Sequence, residues 1–368
     1  MSVEAAPSKL QAPILQAASA DAARCVSVTT PAPRDVWKNL IAQDADALPY
    51  QSPEWTDSAC ATGQFVDVSR LYEMADGRQF VLPLLARAGL PSWLNVAGSM
   101  PPSWGIGGPI GSAPLTPPVI AAMLNDLRSA GFLAVHIRPN PLHASVWQSA
   151  PFGTVMPRRA HVLDLAGGFD AVWEQRFDGR QRRVIRKAEK IVDVEFDTTG
   201  RLLPQFYALL EKSWLRWAAA QHEPEALALW RARRRDPYER FESMAATMGE
   251  NWQIGLASIG GQPVASIIVL RGRNTNYSRG AMDVERIGNS GANDLLQKLA
   301  IEQSANAGHR YYHMGESGNS ASLSQFKQKF GAVPYDYAEY RIERLPLTRV
   351  DKLARTAVKR LIGFKDGS

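Results

Sequence analysis

Residues 252–300 read WQIGLASIGGQPVASIIVLRGRNTNYSRGAMDVERIGNSGANDLLQKLA, and their sequence of apolar runs, turn and glycine loop decides the fold class. Trp252–Ile259 is apolar and strand-tolerant, and Gly260-Gly261 supplies the positive φ angles that a tight primed turn requires. Gln262–Leu270 returns with an almost unbroken apolar run, as a strand covered on both faces does. Residues 276–282 form a third strand in which Gly280 marks a bulge or a close backbone approach. A loop then leads into a helix with Leu295, Leu296, Leu299 and Ala300 on one stripe, stopped by Gly308. Residues 311–314 are a short buried strand, and the helix between makes it parallel to its predecessor. A short helix and a closing strand carry the run to Ala338.

The first turn of a helix leaves four backbone N–H groups unpaired, and glycines let a ligand approach them. Gly288, Asn289, Ser290, Gly291, Ala292 and Asn293 are therefore a candidate anion site, with Arg286 as a fixed positive charge beside it. If the two parallel strands splay apart, the gap exposes backbone groups to an extended amide-bearing arm. The same element order occurs earlier in the chain. Residues 66–73, an Asp76-Gly77 turn and residues 79–86 form a hairpin, followed by the loop Trp104-Gly105-Ile106-Gly107-Gly108-Pro109, a helix at 116–130 and a strand at 132–137. The turn glycines Gly77 and Gly261 are 184 residues apart and the helix stops Gly131 and Gly308 are 177 apart, so one plan is used twice. Pro101, Pro102, Pro109, Pro114, Pro117 and Pro118 remove donors from the first copy, which is expected to be structural or acceptor-binding.

Four blocks carry a likeness to known proteins. They are Tyr50-Gln51-Ser52-Pro53-Glu54-Trp55, Arg182-Arg183-Val184-Ile185-Arg186-Lys187-Ala188-Glu189-Lys190, Gly315-Glu316-Ser317-Gly318-Asn319 and Gln325-Phe326-Lys327-Gln328-Lys329-Phe330-Gly331-Ala332. From about residue 32 to 342 the chain resembles the Fem-like and CelD-like branch of the GNAT superfamily, in which two GNAT-like domains are fused. The resemblance implies an α/β fold of tandem GNAT-like domains, each a mixed, mostly antiparallel sheet flanked by helices. The domains are expected at 31–160 and 161–345, the second holding the donor site, with a disordered tail at 1–30 and a basic amphipathic helix at 346–368. It also implies acyl-CoA, such as acetyl-CoA, as co-substrate, its pantetheine arm in the strand gap and its diphosphate on the glycine loop. The superfamily's glycine pattern is out of register here, since counting from Arg286 puts Asn289 where the first glycine is expected. In Fem-like enzymes the lysine corresponding to Lys327 is associated with phosphate or acyl contacts at the active site.

Composition fits two domains of ordinary globular usage: 368 residues, 45% hydrophobic. Residues 1–30 lack periodicity and read as a tail, with neither the arginine-rich face of a transit peptide nor the compact apolar stretch of a secretory one. No apolar run reaches the roughly 20 residues needed to span a bilayer. Two cysteines, Cys25 and Cys60, rule out a disulfide framework and metal spacing, and suit free thiols in a reducing, cytoplasmic setting. The net charge of +6 and pI near 9.3 ask mildly for an anionic partner. Arg176, Arg180, Arg182, Arg183, Arg186, Lys187 and Lys190 crowd between the halves, where a helix places them either beside the interdomain cleft or on a solvated face. A second cluster, Arg231, Arg233, Arg234 and Arg235, reads as an exposed helix or loop. Val350, Leu353, Ala354, Ala357, Val358, Leu361 and Ile362 repeat at helical spacing among basic residues, the pattern of a helix that docks on its own body or lies on the inner membrane surface.

Aminolysis of a thioester needs a neutral amine, a group to take its proton, and donors for the carbonyl oxygen. Glu316 and Asp283 are expected on opposite walls of the gap, either one a candidate base, though Asp283 also suits a loop cap and Glu316 a turn. Lys327 is a candidate for acyl contact, and Tyr277 a proton donor to the leaving thiolate or a core aromatic. His309 and His313 fit a packed strand. Three functions follow in order: an acyl-CoA N-acyltransferase acting on a small amine, amino sugar or cell-envelope precursor; an aminoacyl-tRNA-dependent Fem-like transferase; and a non-catalytic binding protein with a decayed cleft. The stretch 202–252 is too short for the coiled-coil arm that often accompanies the tRNA-dependent enzymes, which favours the first.

Overall fold

The computed structural model describes residues 24–150, 153–318 and 320–361. The first half runs through β1 (Cys25–Thr29), α1 (Arg34–Gln43), α2 (Pro53–Ala61), β2 (Phe65–Asp67), β3 (Arg70–Met74), β4 (Gln79–Leu82), β5 (Leu85–Arg87), β6 (Val96–Ser99), β7 (Ile110–Gly111), α3 (Pro117–Ser129), β8 (Ala134–Ile137) and α4 (Ala144–Gln148). The long strand β9 (Thr154–Asp164) leads into α5 (Gly168–Gln175), α6 (Gly179–Ala188), β10 (Asp193–Asp197), α7 (Leu203–Ala220), α8 (Glu225–Arg235) and α9 (Tyr238–Met248). Then come β11 (Trp252–Ile259), β12 (Gln262–Leu270), β13 (Thr275–Met282), α10 (Val284–Ile287), α11 (Ala292–Asn306), β14 (Tyr311–Glu316), α12 (Ala321–Gln328), β15 (Val333–Glu343) and α13 (Leu347–Leu361).

The fold is α/β, with mixed sheets flanked by helices. Eleven strands form one sheet in the order β10-β11-β12-β13-β14-β9-β15-β8-β6-β5-β2, and β1-β3-β4-β7 form a second. The large sheet joins the halves because β15 pairs with β9 along one edge and with β8 along the other. The expected domain boundary at 160 therefore falls inside β9, a strand of the shared sheet. The expected tail is shorter than residue 30, since Cys25–Thr29 pairs antiparallel with β3; residues 1–23 lie outside the described residues. The early hairpin also divides: β3 and β4 pair in the small sheet, while β2 and β5 pair in the large one.

The reading of Gln262–Leu270 as a doubly covered strand matches its packing. Ile268 and Leu270 face a core shared by both halves, with Trp55 and Trp104 from the first and Phe206, Trp214 and Trp252 from the second. Ala265, Ile267 and Val269 face the opposite core beneath α11, with Leu295, Leu296 and Ala300. Burial of one such side chain contributes about 1.5–3 kcal/mol, and here it is drawn from each face in turn. Cys25 and Cys60 are free thiols.

Candidate functional site

The two parallel strands of the second half touch only at their start. β13 and β14 pair at Thr275 with Tyr312 and at Asn276 with His313, and no further. A bulge on each strand turns the edges apart: β13 slips against β12 at Ser278, and β14 slips against β9 at Met314, where Gly315 has φ +73°. A bulge adds one residue to one side of a ladder and bends it. Gly280, read as marking a bulge or a close backbone approach, is not the bulged residue but is closely approached by a side chain, since the Tyr277 hydroxyl lies 2.0 Å from where a Cβ would stand. The equivalent strands of the first half, β6 and β8, pair at four successive positions and leave no gap.

The gap opens into a cleft of about 510 Å3 whose floor is Asn276, Tyr277 and Gly280 with Met314 and Gly315. Leu210, Trp214 and Trp217 of α7 form one wall, and Tyr50, Gly105 and Ile106 of the first half form the other. Past Gly280 the strand is tied to α7, where the Ser213 hydroxyl donates to the Met282 carbonyl and accepts from the Met282 N–H. A larger hollow of about 730 Å3 lies beyond Glu316, lined by the start of α12 and by Arg158 and Arg159. Those arginines are engaged with Glu339 and Asp336, and the hollow meets the splayed strands at Glu316, the last residue of β14.

Lys327 enters the cleft from α12. Phe326 and Phe330 anchor that helix, stacking edge to face with each other while Phe330 does the same with Phe177, and Gly331 (φ +83°) lets the chain pass where an added Cβ would lie 2.6 Å from Arg176. The lysine between them is 2% exposed. Its Nζ donates to the carbonyls of Gly315 at 2.9 Å and Glu316 at 2.7 Å, and burial pulls its pKa from 10.5 down to about 7. Glu316 is less free than its turn suggests. Its Oε1 accepts from the Tyr337 hydroxyl at 2.5 Å, and Arg138 and Arg158 stand within 3.8 and 3.6 Å. Asn276 is fully buried in the cleft floor with neither side-chain amide atom partnered.

The other expected residues are distributed as follows. Tyr277 lines the cleft with a phenol pushed up to about 12 by burial. Asp283 does not line it; the carboxylate caps α10 by accepting from the Arg286 N–H and takes a 2.5 Å bond from Lys212, which holds its pKa below the usual range. An ionised carboxylate so engaged is a poor proton acceptor, so its role here is the cap. Arg286 is turned back onto Asp283 and Gln262. The glycine loop is covered in part: Gly291 lies 2.7 Å, measured from an added Cβ, from Val184 of α6, and Ala292 is fully buried. The Ala292 N–H is taken by the Ser290 hydroxyl, and Gly288, Asn289 and Asn293 lie outside the cleft. The basic segment is on α6, whose buried face of Gln181, Ile185 and Ala188 packs toward α11 and away from the cleft. His313 is packed within β14, 1% exposed with its pKa drawn down to about 3 by burial, while His309 is half-buried in the turn before that strand, bonded to the Thr275 hydroxyl. Asn319 lies outside the described residues.

Sequence reasoning missed one cluster. Arg235 and Asp236 line the cleft together with Arg279 and Ser103. Asp236 precedes Pro237 at a helix junction, a setting that reads as an ordinary break, and only its contacts reveal its burial at 2% exposure.

Residues 175–328 match the family model of the acetyltransferase (GNAT) domain. Among solved structures the chain is similar to FemX, with 12% identity and a TM-score of 0.62 over 88% of this chain and 99% of that one. It is also similar to a conserved protein of unknown function from Bacteroides thetaiotaomicron VPI-5482, with 10% identity and a TM-score of 0.51 over 86% of this chain and 99% of that one. No curated protein matches.

Proposed function

From a Fem-like, two-domain GNAT fold, the fold of acyltransferases, we propose that the chain is an N-acyltransferase that passes an acyl group from acyl-CoA directly to a small amine, amino-sugar or cell-envelope precursor. The observation that carries this reading is the opening between β13 and β14 with Lys327 at its side. Parted strands leave backbone groups that an extended thioester arm can pair with, as an added strand would.

In the reaction the acceptor nitrogen attacks the thioester carbonyl, a C–N bond forms, the C–S bond breaks and CoA leaves as thiolate. Lys327 takes the amine proton. A neutral lysine has two N–H groups, and both are used by the Gly315 and Glu316 carbonyls. Its lone pair is left for the cleft. A base with pKa about 7 is matched to neutral operation. The proton is then available to the thiolate. Asn276 supplies an amide N–H to the carbonyl oxygen as charge develops. Glu316, tied to Tyr337, positions the turn that holds Lys327.

A second reading has one observation in its favour. The covered helix start and the engaged Arg286 leave little room for a diphosphate, which suits an aminoacyl-tRNA donor. Against it, α8 and α9 fold back onto α7 and α2 rather than projecting as an arm. The C-terminal helix α13 leaves Val350 and Leu353 60% and 72% exposed, which supports contact with an anionic membrane from the cytoplasmic side. Among the described residues no helix is long and apolar enough to cross a membrane.

The test is thiol release from a panel of acyl-CoA donors with amine acceptors. Amine-dependent release supports the proposal. No release from any acyl-CoA, together with deacylation of aminoacyl-tRNA, would transfer the assignment to the second reading.

A further inference from the structure

The cleft has two chemically different ends. At one end stands Lys327 with Glu316, and at the other Asp236 is surrounded by three guanidiniums. Arg240 bonds its carboxylate at 2.6 Å, Arg235 at 2.7 Å and Arg279 at 3.4 Å. Arg240 is 3% exposed, stacks 4.1 Å above the Trp104 ring and donates to the Ser103 carbonyl, so it serves as the buried base of the cluster. Arg279 is held outward by the Ser278 and Ser103 carbonyls, its side chain 30% exposed into the cleft, and Arg235 reaches the same space from the end of α8 at 47%.

Charge balance at this end is incomplete. One carboxylate faces three cations, and the excess is felt where solvent is scarcest: burial draws Arg240 down to about 9, and Arg279 and Arg235 add to the fall. Unpaired positive charge held in a partly buried cleft costs stability unless something fills the role of counter-ion. Guanidiniums held in fixed orientation match the paired oxygens of a carboxylate or phosphate. The Asp236 carboxylate already takes the inner faces of all three, so the free N–H groups of Arg279 and Arg235 point to whatever occupies the cleft.

The face of the sheet decides which substrate this is. The arginine end belongs to the side covered by α7 and the first half, in the same core as Tyr50, Trp104 and Trp214. The glycine loop and α11, where the donor's diphosphate was expected, cover the opposite face. Tyr50 lines the cleft within electrostatic reach of both ends, of Arg279 and Arg240 and also of Glu316.

We infer that the acceptor carries an oxyanion, a carboxylate or a phosphate, which Arg279 and Arg235 bind at the Asp236 end while its amine reaches toward Lys327. The assignment to the acceptor rests on the acyltransfer reading above; the oxyanion site itself does not. The experiment therefore measures binding without turnover, by thermal shift and calorimetry on the full chain with matched probes: glucosamine against glucosamine 6-phosphate, and alaninamide against alanine. The oxyanion-bearing member of a pair, glucosamine 6-phosphate or alanine, is expected to bind at least tenfold more tightly, with the phosphate and carboxylate pairs separating the two sources. Arg279→Gln and, independently, the rim substitution Arg235→Gln should each remove most of that preference, and Arg279→Lys should keep part of it. Equal response to both members of each pair, or a preference that survives both glutamine substitutions, would overturn the inference. A preference that is present and arginine-dependent in a chain that releases no thiol from any acyl-CoA would instead overturn the acyltransfer reading and leave the oxyanion site standing.

Discussion

Replacing Lys327 by Met keeps an unbranched side chain of nearly the same length and removes the nitrogen. Two energies oppose each other. Burial holds the folded-state lysine at about 7 against an ordinary 10.5, so at neutral pH the wild-type fold forgoes roughly 4 kcal/mol of charging free energy that the unfolded chain retains. A thioether carries no such penalty. Against that gain, the Gly315 and Glu316 carbonyls lose donors at 2.9 and 2.7 Å, at about 1–3 kcal/mol each. The difference is within about 2 kcal/mol of zero, and the melting temperature should move by less than about 6 °C. Turnover should fall by about 100- to 10,000-fold, the usual value of a positioned base. Amine-dependent thiol release across the neutral pH range reads the second effect. Neutral lysine is the active form, so wild-type kcat/KM should climb with pH and level off above about 7, and the Met variant should lack that limb. The sign for stability is the reverse of a salt-bridged lysine: wild-type stability relative to Lys327→Met increases as pH rises from about 7 toward 10.5, where the unfolded chain gives up its proton as well. A Met variant that turns over within tenfold of wild type, or that keeps the acid limb near 7, would remove Lys327 from the role of base.

Three further outcomes follow from the geometry. Burial raises the Glu339 carboxyl, but Arg138 and Arg341 outweigh it and drive its pKa to about 2; this stability is present above the ordinary 4.5 and lost as pH falls toward 2. Glu339→Gln should flatten the dependence of the urea midpoint on pH over that window and lower stability at pH 7 by roughly 3 kcal/mol. Gly291→Ala meets Val184 at 2.7 Å with φ at +74°, and should cost about 1–3 kcal/mol by denaturant unfolding; an unchanged midpoint would mean α6 is not seated on the start of α11. Deleting residues 346–368 removes the exposed Val350 and Leu353 and should weaken co-sedimentation with acidic vesicles, whereas unchanged partitioning would exclude α13 as the membrane contact.

Backbone architecture was legible wherever one residue type forced one conformation. Gly260-Gly261 ended β11 at Ile259 and began β12 at Gln262, and Gly308 followed the end of α11. Alternation failed as a guide only where both faces of a strand are covered, and there the unbroken apolar run of β12 gave the answer instead. The site was harder to read. Lys327 could be named from its block, but the seat of its helix is built by Phe326 on Phe330 and Phe330 on Phe177, the last about 150 residues away in sequence. Asp283 looked like a base because it follows β13, but its carboxylate caps α10 at the Arg286 N–H and is paired with Lys212 of α7. The Asp236 cluster is assembled from α9, β13 and the loop at Ser103, so no local pattern announces it.

The two copies share an element order, and among their differences one strand pair explains why the strands part in the second copy and not in the first. β6 and β8 stay paired over four positions and the Ser99–Pro109 loop folds back over them, with the Gly107 N–H bonded to the Arg138 carbonyl. The first copy is thereby rigid, and the same loop brings Ser103, Gly105 and Ile106 to the cleft of the second. Gly105 sets the spacing: at φ +94°, an added Cβ would lie 2.6 Å from the Tyr50 ring. A side chain there must displace Tyr50 from between the arginine end and the lysine end. A duplicated domain that had merely decayed would have no reason to hold its ring against the partner's opening. With one pair of strands zipped and the other parted, the molecule has one slot and one wall, and under the proposed acyl transfer the slot takes the donor and the wall faces the acceptor.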